Sequence, residues 1–209
     1  MNGKAVQLIF ALLGNKQEQT YAKFFRPLLQ IEPTLSPSTI LVDFEIATIN
    51  AIKTTFGAGI EIVACSFHLS RNLWRKIQQL HLTERYKDDA DFRLNCKMLL
   101  ALSYVPPRDI QFAFEIMAEN FLVEMQPLVE YWENTYTGRR LHNVEPLFNI
   151  EMWNLFQRIS SDLPKTNNSL EAWHNSFKRS LDCQHPHLFK FIQQLKKEQS
   201  SSEMFVPRY

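Results

Sequence analysis

The chain of 209 residues is short of glycine and cysteine, with 5 and 3 respectively. Scarce glycine argues against a turn-rich β-sandwich. The cysteines, Cys65, Cys96 and Cys183, are odd in number and far apart, so they form neither a disulfide framework nor zinc-finger spacing, and a reducing compartment fits best. No apolar run approaches the ~20 residues that a membrane helix needs, so we expect no membrane partner.

The sequence also lacks an excess of charge of either sign, since its formal net charge is +1 at pH 7. This balance excludes a global basic field of the kind that marks many nucleic-acid-binding proteins, although a local basic patch is compatible with it. Hydrophobic residues make up 45% of the chain, which allows one large packed domain, or one domain with an insertion.

The first thirty residues predict one strand and one helix. Ala5 to Leu13 is a nearly continuous apolar run, which is typical of a strand covered on both faces. Apolar residues from Tyr21 to Leu29 then follow helical spacing, with Thr20 as the expected cap. Pro27 is expected to kink or split this helix.

Two further strands alternate with helices. Thr39 to Asp43 is the clearest strand, and Glu61 to Cys65 is a second one. A helical pattern follows each of them, and Gly57 ends the first. This order predicts a βαβ unit with a parallel sheet and a right-handed crossover. Asp43 would then lie at the carboxyl edge of the sheet, where ligands bind in open α/β folds.

Residues 81–163 contain helical stripes and no strand-like run, so we interpret them as an all-helical insertion that follows an α/β core in residues 1–80. A returning helix is expected in residues 164–195, and residues 196–209 are expected to be a flexible tail. The apolar stripes of the insertion are Tyr86, Ala90, Leu94 and Met98; Phe112, Phe114, Ile116 and Met117; Leu128, Val129 and Trp132; and Met152, Leu155, Phe156 and Ile159.

Two acidic residues are candidates for metal chemistry. Asp43 ends a strand and opens a helix, which is a common metal or phosphate-site position, and it is also a position from which Asp caps the helix. Glu171 lies on the first turn of a helix whose apolar face contains Leu170, Trp173, Phe177 and Leu181. Glu171 is open to two interpretations, a metal ligand or a member of a capping box with Asn168.

Other side chains carry weaker signals. Cys65 and His68 have spacing that allows a shared zinc ion, a nucleophilic pair, or a buried cysteine beside an oriented histidine. The basic side chains Arg71, Arg75 and Lys178 are candidates for DNA phosphate contacts, against a default of a solvated face. The tryptophans lie in apolar stripes, so core packing is favoured over base stacking.

Taken in order, these segments resemble the transposase domain of Mutator-like elements, the MULE transposases. The resemblance rests on Leu-Val-Asp-Phe-Glu at 41–45, Cys-Ser-Phe-His at 65–68 and Asn-Asn-Ser-Leu-Glu at 167–171, and it extends from about Val6 to Lys190. It implies a ribonuclease-H-like fold with a helical insertion, and three acids that bind Mg²⁺ or Mn²⁺ for DNA strand cleavage and transfer. It also implies DNA as a partner and a nuclear location, and it leaves a homo-oligomer open.

The resemblance assigns Asp43 to the second acid, Glu171 to the third, and Cys65 and His68 to the Cys-x-x-His element. The first acid of the family lies on a strand that precedes the one matched by Ala5 to Leu13. Residues 1–4 contain no acid, so we expect that first strand to be missing and the core to be incomplete. The resemblance therefore implies a fragment of a MULE-type transposase with little or no activity alone. The alternative is a domesticated, non-catalytic DNA- or protein-binding module.

Overall fold

The structure is a computed structural model that describes residues 9–57, 59–139, 144–160, 166, 168–183 and 186–203. Side chains are left out of the description at positions 160, 168–170 and 202–203. The chain divides into two compact units. We call Gln17–Thr166 the central unit, and Met1–Lys16 together with Asn167–Tyr209 the terminal unit.

The central unit contains a βαβ motif that follows helix α1, Glu18–Ile31. Strands β1, Thr39–Val42, and β2, Glu61–Ala64, pair in parallel, with Thr39 opposite Glu61 and Val42 opposite Ala64. Helix α2, Ile46–Phe56, connects them and ends at Gly57, whose φ of 88° favours glycine. Helix α3, Ser66–Gln79, follows β2. The predicted mixed α/β class is therefore confirmed, while the ribonuclease-H-like core stays a prediction.

The predicted strand at Ala5 to Leu13 is wrong for the residues that the structure describes. Residues 9–13 are not in a strand, and residues 5–8 lie outside the described part of the chain. Ile9 and Leu12 are more than half exposed, so this part of the run is not covered on both faces. A strand needs a hydrogen-bonded partner. In the described residues, the strands of the sheet pair only with one another.

Helix α1 differs from its prediction in two respects. It begins two residues before Thr20, with Gln17 as its N-cap residue, and it continues through Pro27 without a break. Pro27 removes the N–H that would bond to the carbonyl of Lys23. Both residues are on the exposed face, so water can hydrate that carbonyl, and the helix tolerates the proline.

Among the described residues of the central unit, the remaining regular structure consists of helices and one antiparallel bridge between Arg139 and Val144. Short 3-10 turns and a π-helical turn at Glu133–Thr137 join the helices. The helices are α4, Thr83–Asp88; α5, Ala90–Ala101; α6, Ile110–Glu119; α7, Gln126–Trp132; α8, Ile150–Trp153; and α9, Phe156–Ser160.

One hydrophobic core joins the βαβ motif to these helices. Ile52 and Leu73 belong to the same buried cluster as Phe92, Trp132 and Trp153. The buried cluster extends across the predicted division at residue 80, which stays a prediction. Trp132 and Trp153 are almost completely buried, which agrees with core packing rather than base stacking.

The predicted stripe through Tyr86 and Leu94 is wrong. The Oδ1 atom of Asp89 accepts hydrogen bonds from the N–H groups of Asp91 and Phe92, and this cap starts α5 as a new helix. The helical phase is therefore reset between Tyr86 and Leu94. The buried face of α5 contains Phe92, Cys96 and Leu99, whereas Leu94 is 56% exposed.

Two other predicted stripes are only partly buried. Phe114 is buried on α6, but Phe112 and Ile116 beside it are exposed. In the fourth stripe Met152 and Leu155 are buried, whereas Phe156 and Ile159 are exposed, because α8 ends at Trp153 and α9 starts in a new phase at Phe156.

The terminal unit contains helices α10, Asn168–Ser180, and α11, Leu188–Glu203. The Trp173 ring stacks on Phe177 and tilts against Phe10, at centroid distances of 5.2 and 5.3 Å. Phe177 and Leu181 are buried, as predicted. The predicted tail begins inside α11, and residues 204–209 lie outside the described part of the chain. No helix among the described residues is both long and apolar enough to span a bilayer.

Candidate functional site

Asp43 lies at the carboxyl end of β1, as the sequence predicts. Its side chain is 52% exposed. It does not cap α2, because that helix begins at Ile46 and has Glu45 as its N-cap residue. The Asp43 carboxylate is therefore accessible from solvent at the edge of the sheet where open α/β folds bind ligands.

His68 lies beside Asp43. Its Nδ1 atom is 3.0 Å from Oδ1 of Asp43, and its side chain is only 13% exposed. Cys65 is completely buried at the start of α3. The structure shows that Cys65 is buried and that His68 is close to Asp43, and the three interpretations of Cys65 and His68 stay predictions.

A second carboxylate near this edge, Glu45, is held by two hydroxyl groups. Tyr21 Oη and Thr48 Oγ1 donate hydrogen bonds to Glu45 Oε2 at 3.0 and 3.3 Å. Burial raises the pKa of the Tyr21 phenol, Thr48 opposes this effect, and the carboxylates of Glu45 and Asp43 add to it. Sequence reasoning missed Tyr21 and Glu45 as neighbours of the site. They come from separate helix boundaries, and no local pattern joins them.

Arg158 is another residue near the candidate site that the sequence did not reveal. It is 3% exposed, and its Nη1 donates a hydrogen bond of 2.9 Å to the carbonyl of Ala64, the last residue of β2. Burial lowers the pKa of its guanidinium, an effect that the nearby Cys65 and Glu61 oppose. Arg158 follows the buried Leu155 by three residues, which is helical spacing for one face. This spacing was the signal in the sequence that the arginine side chain faces inward.

The predicted DNA-contacting residues on α3 lie on one stripe. His68, Arg71 and Arg75 have positions i, i+3 and i+7, so both arginines project from nearly the same side as His68. Arg75 is about 10 Å farther along the helix axis than His68. Arg71 and Arg75 are exposed and make no ion pair with any described residue. This stripe gives a local positive surface that starts at the candidate site.

Glu171 and Lys178 lie on α10 of the terminal unit. Glu171 is half-buried on the first turn, and Lys178 is exposed. Asn168 is the first helical residue, and its side chain lies outside the described part of the chain. The choice between capping and metal binding for Glu171 therefore stays a prediction, as does its pairing with Asp43, because the two residues belong to separate units.

The fit of the residues to a divalent metal ion is partial. The exposed oxygen atoms of Asp43 are the ligand type that Mg²⁺ prefers. No group of three or more His, Cys, Asp or Glu side chains among the described residues is arranged to hold a metal ion. Among the described residues, the carboxyl edge of the central unit thus presents Asp43 as an exposed oxygen ligand, without a complete coordination shell.

The fold and the site define an α/β domain with an exposed acid at the carboxyl edge of its parallel sheet. Residues 1–72 match the family model of the MULE transposase domain. The matched range contains Asp43, Cys65 and His68, and it covers 72 of the 209 residues. The match supports a MULE domain in this part of the chain and a transposase-related function. No curated protein and no solved structure gives a significant match to the chain.

Proposed function

We propose that the chain derives from a MULE-type transposase with a ribonuclease-H-like core, whose ancestral reaction is metal-dependent cleavage and transfer of DNA strands. The observation that carries the proposal is the exposed carboxylate of Asp43 at the carboxyl end of β1, inside the matched residues. This is the position at which an acid of such a core meets its metal ion.

Asp43 and Glu171 are the residues that would hold Mg²⁺ or Mn²⁺. When bound, divalent ions at such a site lower the pKa of the attacking water and stabilise the leaving oxygen. In this proposal Asp43 supplies an oxygen ligand, and His68 restricts the orientation of the Asp43 carboxylate through the 3.0 Å contact. We propose little strand-transfer activity for this polypeptide alone, because the family resemblance assigns Asp43 and Glu171 to two of its three acids and assigns no residue to the first.

DNA is the proposed partner. Arg71 and Arg75 are exposed, lack ion pairs with described residues, and extend along α3 from the site. Lys and Arg side chains that neutralise phosphates release counterions, and this release supplies much of the affinity for DNA. The guanidinium group suits phosphate oxygens because its planar donors bind them in pairs. Lys178 is a further candidate from α10.

The second candidate function is a non-catalytic DNA- or protein-binding module. Two observations favour it: Asp43 is already in contact with His68, and Glu45 already accepts two hydrogen bonds from Tyr21 and Thr48. Under this alternative the carboxylates serve the local structure, while the arginine stripe on α3 continues to bind DNA.

The test compares Asp43→Asn with a control that changes a similarly exposed acid. Asp109 is also 52% exposed and is distant in sequence from the site, so Asp109→Asn is a matched control. If Asp43 is a metal ligand, Asp43→Asn weakens Mn²⁺ binding measured by calorimetry and abolishes any nicking of supercoiled DNA, and the control changes neither. If both variants behave like the unmodified chain while DNA binding persists, the non-catalytic module is the better description.

A further inference from the structure

A closed ring of contacts places His68 against Asp43. The N–H of Cys65 donates to the carbonyl of Val42 at 3.0 Å, and Val42 is bonded to Asp43. The carbonyl of Cys65 accepts from the N–H of His68 at 3.1 Å, and Nδ1 of His68 returns to Asp43. The relative position of Asp43 and His68 therefore depends on the peptide group that joins Ala64 to Cys65.

That peptide group is held from two opposite sides. In a trans peptide the C=O and the N–H point in opposite directions. The N–H side belongs to Cys65 and bonds to Val42 of β1, and the C=O side belongs to Ala64 and accepts the hydrogen bond from Arg158. Arg158 comes from α9, which belongs to the helical part of the central unit.

The chemistry of Arg158 is specific for this role. A charged donor makes a stronger hydrogen bond to a carbonyl than a neutral one does. Placing a guanidinium in an environment where it is 3% exposed carries a desolvation cost that an apolar side chain of similar volume would avoid. The hydrogen bond to the carbonyl of Ala64, at the carboxyl end of β2, is a described contact that offsets this cost.

We propose that Arg158 is a positioning residue of the candidate site, whose hydrogen bond to Ala64 fixes the peptide group that sets His68 against Asp43. The inference deepens the proposed function, on which it rests for the role of Asp43. Arg158 touches neither the carboxylate of Asp43 nor the imidazole of His68 in any described contact, and acts on them through the backbone at Ala64 and Cys65.

The experiment uses the full chain and the variants Arg158→Met, Arg158→Lys and Arg93→Met. Arg93→Met is the matched control, because the Arg93 guanidinium also donates to backbone carbonyls, those of Tyr86 and Lys87, and makes no described contact with β2. The readouts are the ¹⁵N resonances of the His68 ring at one fixed pH, which report its tautomer and hydrogen bonding, and the hydrogen exchange rate of the Cys65 amide.

We expect Arg158→Met to shift the His68 ring resonances and to raise the exchange rate of the Cys65 amide by about tenfold more than Arg93→Met does. Arg158→Lys retains a cationic donor and should restore the resonances. If Arg158→Met leaves His68 unchanged, or if Arg93→Met shifts it equally, the positioning role is overturned. Should Arg158→Met not fold, Arg158→Gln replaces it, with the same expected shift and the same overturning result.

A separate titration with Mn²⁺ alone distinguishes this inference from the proposed function. Paramagnetic broadening of resonances around Asp43 in the unmodified chain supports metal binding there. If no broadening occurs, the proposed metal chemistry fails, and the His68 resonances of the variants still decide the role of Arg158.

Discussion

Asn154 connects α8 to α9, and its replacement by alanine is the most informative test of how the central unit is held together. The side chain is buried, with 4% of the residue exposed. Its Nδ2 donates to the carbonyls of Ser103 and Val105 at 3.1 and 2.8 Å, and its Oδ1 accepts from the N–H of Phe156 at 3.0 Å. Asn154→Ala removes all three hydrogen bonds.

The expected loss of stability depends on whether each backbone group that bonded to Asn154 keeps another hydrogen bond in the variant. The carbonyl of Ser103 still accepts a hydrogen bond from the N–H of Leu155 at 2.7 Å in the variant. Losing its bond to Asn154 therefore costs about 1 kcal/mol, the net contribution of one hydrogen bond. The carbonyl of Val105 loses a donor in a half-buried position, at a cost of about 1–2 kcal/mol. Removing the cap on Phe156 adds about 1 kcal/mol. Together these terms predict a decrease of about 3–4 kcal/mol in the free energy of unfolding.

Urea denaturation followed by circular dichroism measures this change, and a melting temperature lower by roughly 10 °C should accompany it. Asn120→Ala is the control, because its single bond from Nδ2 to the carbonyl of Ile116 is exposed, and a cost below about 0.5 kcal/mol is expected. A loss below about 1 kcal/mol for Asn154→Ala, or equal losses for both variants, would refute the reasoning.

Three further predictions concern charge and thiol chemistry. Replacing Arg71 and Arg75 together by glutamine should weaken DNA binding uniformly across sequences and reduce the slope of log affinity against log salt by about 2, and an unchanged slope would exclude both as phosphate contacts. The hydrogen bond from the N–H of Phe92 is the largest effect that lowers the pKa of the Asp89 carboxyl, and Arg85, the N–H of Asp91 and Arg93 add to it. The stability that this cap contributes is therefore present above pH ~4 and is lost as the pH falls through the lowered pKa. Urea denaturation of Asp89→Ala should be compared with that of the unmodified chain between about pH 2 and pH 7, the range in which carboxylates titrate. The free energy of unfolding of Asp89→Ala should decrease less on acidification, and an equal decrease in both proteins would contradict the prediction. Burial raises the pKa of the Cys96 thiol to about 12, so a thiol reagent at neutral pH should modify the exposed Cys183 and reach Cys96 only after denaturation.

The site shows how far local patterns reach. Asp43 and His68 were found from sequence because each stands at a strand-to-helix junction, and parallel strands bring such junctions to one edge. Their direct contact was not predicted. It depends on the hydrogen bond from the N–H of Cys65 to the carbonyl of Val42 and on the first turn of α3, which together bring Nδ1 of His68 within 3.0 Å of Oδ1 of Asp43.

The helical region shows where periodicity misleads. The stripe through Tyr86 and Leu94 has correct helical spacing, yet Asp89 caps a new helix in the middle of it. A restart changes the phase of every later residue, so Phe92 is buried and Leu94 is exposed. The cap signal was present in the sequence, but choosing it over a continuous stripe required knowledge of which face meets the core.

The sequence by itself determined the order of β1, α2, β2 and α3 and the place of Asp43, because strand and helix periodicity and the glycine after α2 are local properties. The tertiary structure alone decided that Arg158 reaches the carbonyl of Ala64, which is 94 residues away in the chain. A long-range hydrogen bond of this kind leaves no periodic signal near either partner, and it forms only once a shared core has brought the helical region against the end of β2.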